Sequence, residues 1–291
     1  MKKLVFIFLM ILQGLTISHA NTVKIYELPS QVTFAGEKVP IHLGYVREAI
    51  DREMLTTSCM HTRTMLTFRS MSRYFPVIEP ILAEYGVPDD FKYLAMAESG
   101  LDPNAYSPAK AAGMWQFIPS AAASYGLETG DNTDMRYHVV ESTKAACEYL
   151  VKAYKRFGSW TLAAASYNAG PAGVARRMET QGVSDYWDLY LPEETMRYVP
   201  RIISLKLISS APENYNFELK DKDKFKPFEN YKIVKINSTN IDWSKFAKDH
   251  GTDYRQLRIL NPWIRSYEYK NAGQTTYEVM VPTSEFKQKG Y

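Results

Sequence analysis

Phe91-Lys-Tyr-Leu-Ala-Met-Ala-Glu-Ser-Gly100 puts a carboxylate where the hydrophobic pattern calls for burial. Phe91, Leu94, Ala95 and Glu98 fall at i, i+3, i+4 and i+7, one face of a helix that enters from Pro88-Asp89 and ends near Gly100. On that inward stripe the charged form of Glu98 is desolvated, so its pKa rises, toward roughly 6 among apolar neighbours. A carboxylic acid tuned this way donates a proton near neutral pH. Taken alone, the helix also permits a Glu at the rim of the stripe, paired with an Arg or Lys.

The segments around this helix are helical as well, separated by short breaks that carry Gly or Pro. Phe75 to Tyr85 reads as one helix, delayed or kinked by Pro80 and closed by Gly86-Val87-Pro88. Ser120 to Tyr125, Val140 to Phe157, Trp160 to Ala169 and Glu193 to Ile208 follow, with Leu162-Ala-Ala-Ala-Ser166 suited to a helix buried on several sides. Residues 74–210 thus form a mainly α domain. Before it, residues 21–73 hold a short extended arm and an amphipathic run from Val46 through Phe68, without a legible function. After it, the alternating charges of Lys220 to Lys226 mark residues 211–229 as a solvated linker. Residues 230–285 then read strand (Tyr231 to Ile236), helix (Ser244 to Asp249), helix (Tyr254 to Leu260) and strand (Thr276 to Val281), a small α/β module.

Lys2 and Lys3 precede the apolar run Leu4 to Leu12, and Ser18-His19-Ala20 offers the small residues of a signal-peptidase site. The expectation is an exported chain beginning at Asn21, with no membrane span once the leader of residues 1–20 is removed. Without Lys2 and Lys3, 33 basic residues face 32 acidic ones, which gives no drive toward nucleic acid. Cys59 and Cys147 are the only cysteines; export permits a bridge, but Cys147 lies beside Leu150 and Val151 on an apolar helix face and reads as a buried free thiol. The five His residues are isolated from each other and from the cysteines, so neither metal nor cofactor is expected.

Further blocks accompany Glu98-Ser-Gly-Leu-Asp-Pro103: Ser107 to Pro119 (Ser-Pro-Ala-Lys-Ala-Ala-Gly-Met-Trp-Gln-Phe-Ile-Pro), Asp134-Met-Arg136 with Ser142-Thr-Lys-Ala-Ala146, Ser166-Tyr-Asn-Ala-Gly170, and Glu194-Thr-Met-Arg-Tyr-Val199. In this order they resemble the catalytic domain of lytic transglycosylases with the lysozyme-like fold, most similar to the membrane-bound type D branch, over about Pro76 to Leu207. The resemblance implies that Glu98 is the sole catalytic acid and base. It implies that Ser107 and Gln116 line the cleft and touch sugar substituents, that Ile118 packs near the scissile bond, and that Tyr167 and Asn168 border the −1 sugar. Tyr198 would face Glu98, and Glu194 would orient the neighbourhood from behind. Lys110 departs from the pattern, since many relatives carry Gly or a small polar residue there. The C-terminal module resembles a LysM repeat through Tyr231-Lys-Ile-Val, Phe246-Ala247, Leu257, Asn261 and Tyr277-Glu-Val-Met-Val-Pro282, with Ile236-Asn-Ser-Thr-Asn240 in place of the usual Gly-Asp-Thr turn. LysM repeats bind N-acetylglucosamine polymers.

Most glycosidases divide acid and nucleophile or base between two carboxylates. Asp102, between the helix-ending Gly100 and Pro103, reads as a turn residue, and Asp134 and Glu141 lie in structural segments. A one-carboxylate site works if the substrate supplies its own nucleophile, as this family does with the C6 hydroxyl of N-acetylmuramic acid. The expected function is peptidoglycan cleavage between N-acetylmuramic acid and N-acetylglucosamine to give a 1,6-anhydromuramoyl end, with glycan strands as the partner. The alternatives are a muramidase cutting the same bond with water, and a non-catalytic peptidoglycan-binding protein.

Overall fold

The computed structural model describes residues 24–289; the leader expected at Met1 to Ala20 lies outside them. Among the described residues no helix is long and apolar enough to cross a membrane. The N-terminal arm carries an antiparallel pair, β1 (Thr33–Phe34) and β2 (Glu37–Lys38). The Glu37 carboxylate accepts from the backbone N–H groups of Trp160 at 2.5 Å and Thr161 at 3.0 Å. Those donors open a buried helix and lack intrahelical partners, and a negative charge there also meets the positive end of the helix dipole. The arm thereby caps the core.

Two helices follow, α1 (Gly44–Cys59), which buries Val46, Ile50 and Met54, and α2 (His61–Glu84). The amphipathic run from Val46 to Phe68 is not one helix, because Met60 leaves helical geometry with φ −80° and ψ 46°. Nor does a new helix begin near Pro80. Instead α2 runs unbroken through Pro76 and Pro80. Burying Phe75, Ile78, Ile81 and Leu82 on its inner face, at roughly 1.5–3 kcal/mol each, offsets the hydrogen bonds that two prolines forfeit.

The core is completed by α3 (Lys92–Ser99), α4 (Pro119–Ser124), α5 (Val139–Phe157), α6 (Trp160–Ala169), α7 (Pro171–Gln181) and α8 (Glu193–Ser210). Every residue of α6 from Thr161 to Ser166 is buried, and its small side chains let α5, α7 and α8 pack closely around it. The sequence stops at Gly170-Pro171, yet Pro171 begins α7. In the first turn its missing N–H costs nothing.

The C-terminal module has the expected strand, helix, helix, strand order as β3 (Tyr231–Ile236), α9 (Trp243–Asp249), α10 (Tyr254–Leu260) and β6 (Tyr277–Pro282), with β3 and β6 antiparallel and Ile233 opposite Met280. A short pair, β4 (Asn240–Asp242) and β5 (Glu268–Lys270), and a final helix, α11 (Ser284–Lys289), extend that frame. Its core of Trp243, Leu257, Trp263, Val279 and Val281 is shared with Ala112 and Tyr137 of the helical domain. Backbone bonds join the two parts, Asp134 N–H to the Trp263 carbonyl at 2.9 Å and Arg265 N–H to the Asn132 carbonyl at 2.8 Å. Glu128 accepts from the hydroxyls of Tyr269 at 2.9 Å and Tyr277 at 2.7 Å.

Between the two parts, the charged side chains of residues 220–226 are largely exposed, but two phenylalanines anchor the segment to α2. Phe217 is fully buried against Phe68 and His61. Phe225 lies under the guanidinium groups of Arg69 and Arg73, and its N–H donates to the Arg69 carbonyl at 2.8 Å. Cys59 is exposed and Cys147 buried, both as free thiols; burial pushes the Cys147 thiol up to about 12.

Candidate active site

Helix α3 is set by its buried stripe. Phe91, Leu94 and Ala95 are fully buried, and Glu98 continues the same face at the point where it opens onto a cleft of about 750 Å³. Gly100 ends the helix in a left-handed conformation, φ +68°, where a side chain would also press to 2.8 Å from the Thr67 hydroxyl. Protein crowds Glu98 on every side but the cleft, and this desolvation raises its pKa to about 7. A hydrogen bond from the Tyr198 hydroxyl and the Arg201 charge pull the other way, and the Glu194 charge adds to the rise. Tyr198 occupies Oε1. Among the described residues Oε2 has no protein partner, so it is the oxygen left to carry a proton into the cleft.

The loop of residues 107–117 forms one wall. Ser107 Oγ accepts from Ala111 N–H at 3.1 Å, and Ala112 bridges to both Tyr106 and Phe117, folding the loop back on itself. Lys110 and Gln116 take left-handed backbone angles, φ +63° and +51°. Both are strained for a residue with a Cβ, by roughly 1–2 kcal/mol. A Gly or small polar residue at the Lys110 position is what such a turn favours. The Gln116 amide donates to the Gly113 carbonyl at 2.8 Å and the Ala105 carbonyl at 3.3 Å. Behind the loop Arg136, itself buried, donates to the carbonyls of Lys110 at 2.7 Å and Phe117 at 3.0 Å and pairs with Asp134 at 2.6 Å. A Cβ on Gly113 would lie 1.8 Å from the Arg136 carbonyl oxygen, so only glycine fits there.

The opposite wall comes from α6 and α8. Tyr167 donates to the Trp115 carbonyl at 2.8 Å, and Trp115, fully buried, donates through its indole to Thr143. Burial holds the Tyr167 and Tyr198 phenols well above their usual range, so both stay hydrogen donors. The Asn168 oxygen accepts from Thr195 at 2.8 Å while its nitrogen donates to Glu194 at 3.4 Å. Ile118 is 44 % exposed and offers an apolar surface beside Glu98. The cleft brings together all of Glu98, Ser107, Gln116, Ile118, Tyr167, Asn168, Glu194 and Tyr198. It also holds Arg63 and Arg201, which sequence reasoning passed over because each lies outside any recognisable block.

Residues 76–190 match the Transglycosylase SLT domain and residues 232–285 the soluble lytic transglycosylase C-terminal LysM-like domain. The chain is 30% identical over 243 residues to membrane-bound lytic murein transglycosylase D of Escherichia coli strain K12, covering 81% of this chain and 51% of that protein. It is 31% identical over 117 residues to a putative tributyltin chloride resistance protein of Alteromonas sp. strain M-1, covering 39% of this chain and 56% of the relative. The chain spans about half the length of the curated relatives it matches. Among solved structures, the 70 kDa soluble lytic transglycosylase of Escherichia coli overlays 62% of this chain and 32% of its own, with a TM-score of 0.43 and 17% identity. Residues 76–190 of this chain therefore belong to the SLT transglycosylase domain family, and residues 232–285 to the LysM-like domain that accompanies it in soluble lytic transglycosylases.

Proposed function

We propose that this chain is a peptidoglycan lytic transglycosylase that cuts the β-1,4 bond between N-acetylmuramic acid and N-acetylglucosamine and leaves a 1,6-anhydromuramoyl end. The reading rests on Glu98, whose carboxyl group meets the cleft with a pKa near 7 while a tyrosine donor fixes one of its oxygens. At neutral pH a large share of such groups carries a proton, which the poor leaving group needs.

In the first step Glu98 protonates the bridging oxygen as the bond from C1 to that oxygen breaks. Positive charge builds at the anomeric carbon, which the acetamido group of the same sugar can cover. In the second step the C6 hydroxyl oxygen attacks C1 and its proton passes to the Glu98 carboxylate. The acid is regenerated, and no water is consumed. Asn168, held from both sides by Thr195 and Glu194, suits an ordering role toward the acetamido group. Tyr167 contributes less directly, since its hydroxyl proton is committed to the Trp115 carbonyl.

Glu194 favours a second reading. It lines the same cleft, exposed, one helical turn before Tyr198, where a carboxylate can activate water and make the protein a muramidase. Mass spectrometry of digested sacculi separates the two, because an anhydro end is lighter than a hydrolysed one by one water. Anhydro ends, lost in Glu98→Gln, are the expected result. Hydrolysed ends would replace this function with the muramidase, and near-normal turnover by Glu98→Gln would remove Glu98 from the chemistry. The placement that fits the substrate is the cell envelope, reached by export, with glycan strands as the partner of both domains.

A further inference from the structure

Beside the cleft lies a second cavity of about 300 Å³, floored by α1, α2, α3 and α8. The two share Arg63, Ala97 and Arg201, and Ala97 directly precedes Glu98 in sequence. Three guanidinium groups, from Arg63, Arg197 and Arg201, face this annex against a single carboxylate, Glu53. Glu53 is 1% exposed and is spent on holding two of them, accepting from Arg197 Nε at 2.6 Å and Arg201 Nε at 3.3 Å. Among the described residues the Arg63 guanidinium has no ion pair or hydrogen bond, and Arg201, whose charge also acts on Glu98, makes a side-chain hydrogen bond through Nε alone. Glu53 fixes the Arg201 guanidinium through its Nε and leaves the outer donors open, and the exposed Arg63 lines the same annex; guanidinium groups presented this way suit a carboxylate or phosphate.

The rest of the lining narrows the ligand. Thr64 and Thr67 hydroxyls donate to the backbone carbonyls of Thr57 and Arg63, at 2.7 and 3.0 Å, so toward the annex they present oxygen lone pairs. Such a surface accepts from amide N–H groups and, through the arginines, donates to carboxylates. A peptide with free carboxylates matches both halves; a phosphate or a neutral glycan matches one at most. In murein that peptide hangs from the lactyl group of the muramoyl residue, the sugar whose C1 bond Glu98 would cut. We propose that the annex binds the peptide stem of the muramoyl residue, with Arg63 and Arg201 taking a stem carboxylate. The proposal rests on the transglycosylase reading above. Most of the residues that line it lie outside residues 76–190.

The test compares two substrates, peptide-bearing sacculi and the same glycan stripped of its peptides by an amidase, by release of anhydromuramoyl products. The readout is the ratio of kcat/KM on the two. Arg63→Ala should lower that ratio about tenfold or more, the loss expected for one charge-assisted hydrogen bond. Arg63→Lys should restore part of it. Arg52→Ala, which removes an exposed charge paired with Glu193 and not in the annex, should leave the ratio at the wild-type value. A ratio unchanged in Arg63→Ala, or lowered equally by Arg52→Ala, overturns the annex while the transglycosylase reading stands. Wild-type protein that releases no anhydro product from either substrate overturns that reading and the annex with it.

Discussion

Tyr198, 100 residues beyond Glu98 in the chain, donates its phenolic hydrogen to Glu98 Oε1 from the buried face of α8. The bond favours the ionised carboxylate and so restrains a pKa that burial drives upward. Tyr198→Phe removes that restraint without changing the shape of the site. The Glu98 pKa should then rise further, and the alkaline limb of the pH–rate profile, where the acid loses its proton, should move to higher pH. Turnover near neutrality should fall about tenfold, because the carboxylate left after the first step loses a charge-assisted bond. A profile that keeps its alkaline limb in place would break the link between Tyr198 and the acid.

The raised pKa of Glu98 is also a statement about stability. The folded protein holds this proton more tightly than the unfolded chain, so the favourable contribution is complete below the unfolded value of 4.5 and is lost as pH rises through about 7. A desolvated carboxylate then remains, costing about 3 kcal/mol at most. Glu98→Gln carries no charge to desolvate and still accepts from Tyr198. Its melting temperature should exceed that of wild type by several degrees near pH 8 and match it near pH 4.5. Equal melting curves at both values would mean that Glu98 is well solvated.

Lys110 adopts a left-handed backbone only because Arg136 and Ser107 hold the loop there: its carbonyl accepts from Arg136, and its N–H donates to the Ser107 carbonyl at 2.9 Å. Its side chain is exposed. Lys110→Gly relieves the strain and should stabilise the protein by about 0.5–1 kcal/mol, after the extra freedom of glycine in the unfolded chain is subtracted. Denaturant unfolding measures this directly. Destabilisation instead would show that the lysine side chain contributes contacts of its own.

The stripe of Phe91, Leu94 and Ala95 was legible because helical periodicity is local, and the same holds for the β3 and β6 alternation. Other features depend on partners far away in sequence. Glu37 gives no sign in its own segment that it caps α6 from more than a hundred residues away, and the break at Met60 has no Gly or Pro to announce it. Pro76 and Pro80 mislead because tertiary burial outweighs their local penalty. The cleft residues were found as members of sequence blocks, whereas Arg63 and Arg201 come from separate helices and meet only in space. Long-range electrostatics of that kind leaves no periodic trace.

His138 sits where the two domains meet, tilted against Trp263 with ring centroids 6.0 Å apart, and its Nδ1 accepts from Glu141 N–H at 3.3 Å to cap α5. Burial lowers its pKa to about 4, with Glu141 and Glu278 opposing that shift and Lys144 adding to it. Protonation would put a charge on this half-buried ring and take away its acceptor nitrogen. The stabilising contribution of the neutral ring is therefore complete above the unfolded value of 6.5 and is lost as pH falls toward 4. Glu98 has the opposite slope over much of this range, so the measurement belongs in a Glu98→Gln background. There, acid should loosen the docking of the C-terminal module, read as faster amide exchange at Trp263 and Ile264 near pH 4.5 than near pH 7 once intrinsic rates are divided out. Adding His138→Asn, which still offers an oxygen to cap α5, should flatten that pH response. A response of the same size with and without His138 would place the acid sensitivity elsewhere, with the Glu128 carboxylate that Tyr269 and Tyr277 share as the next group to remove.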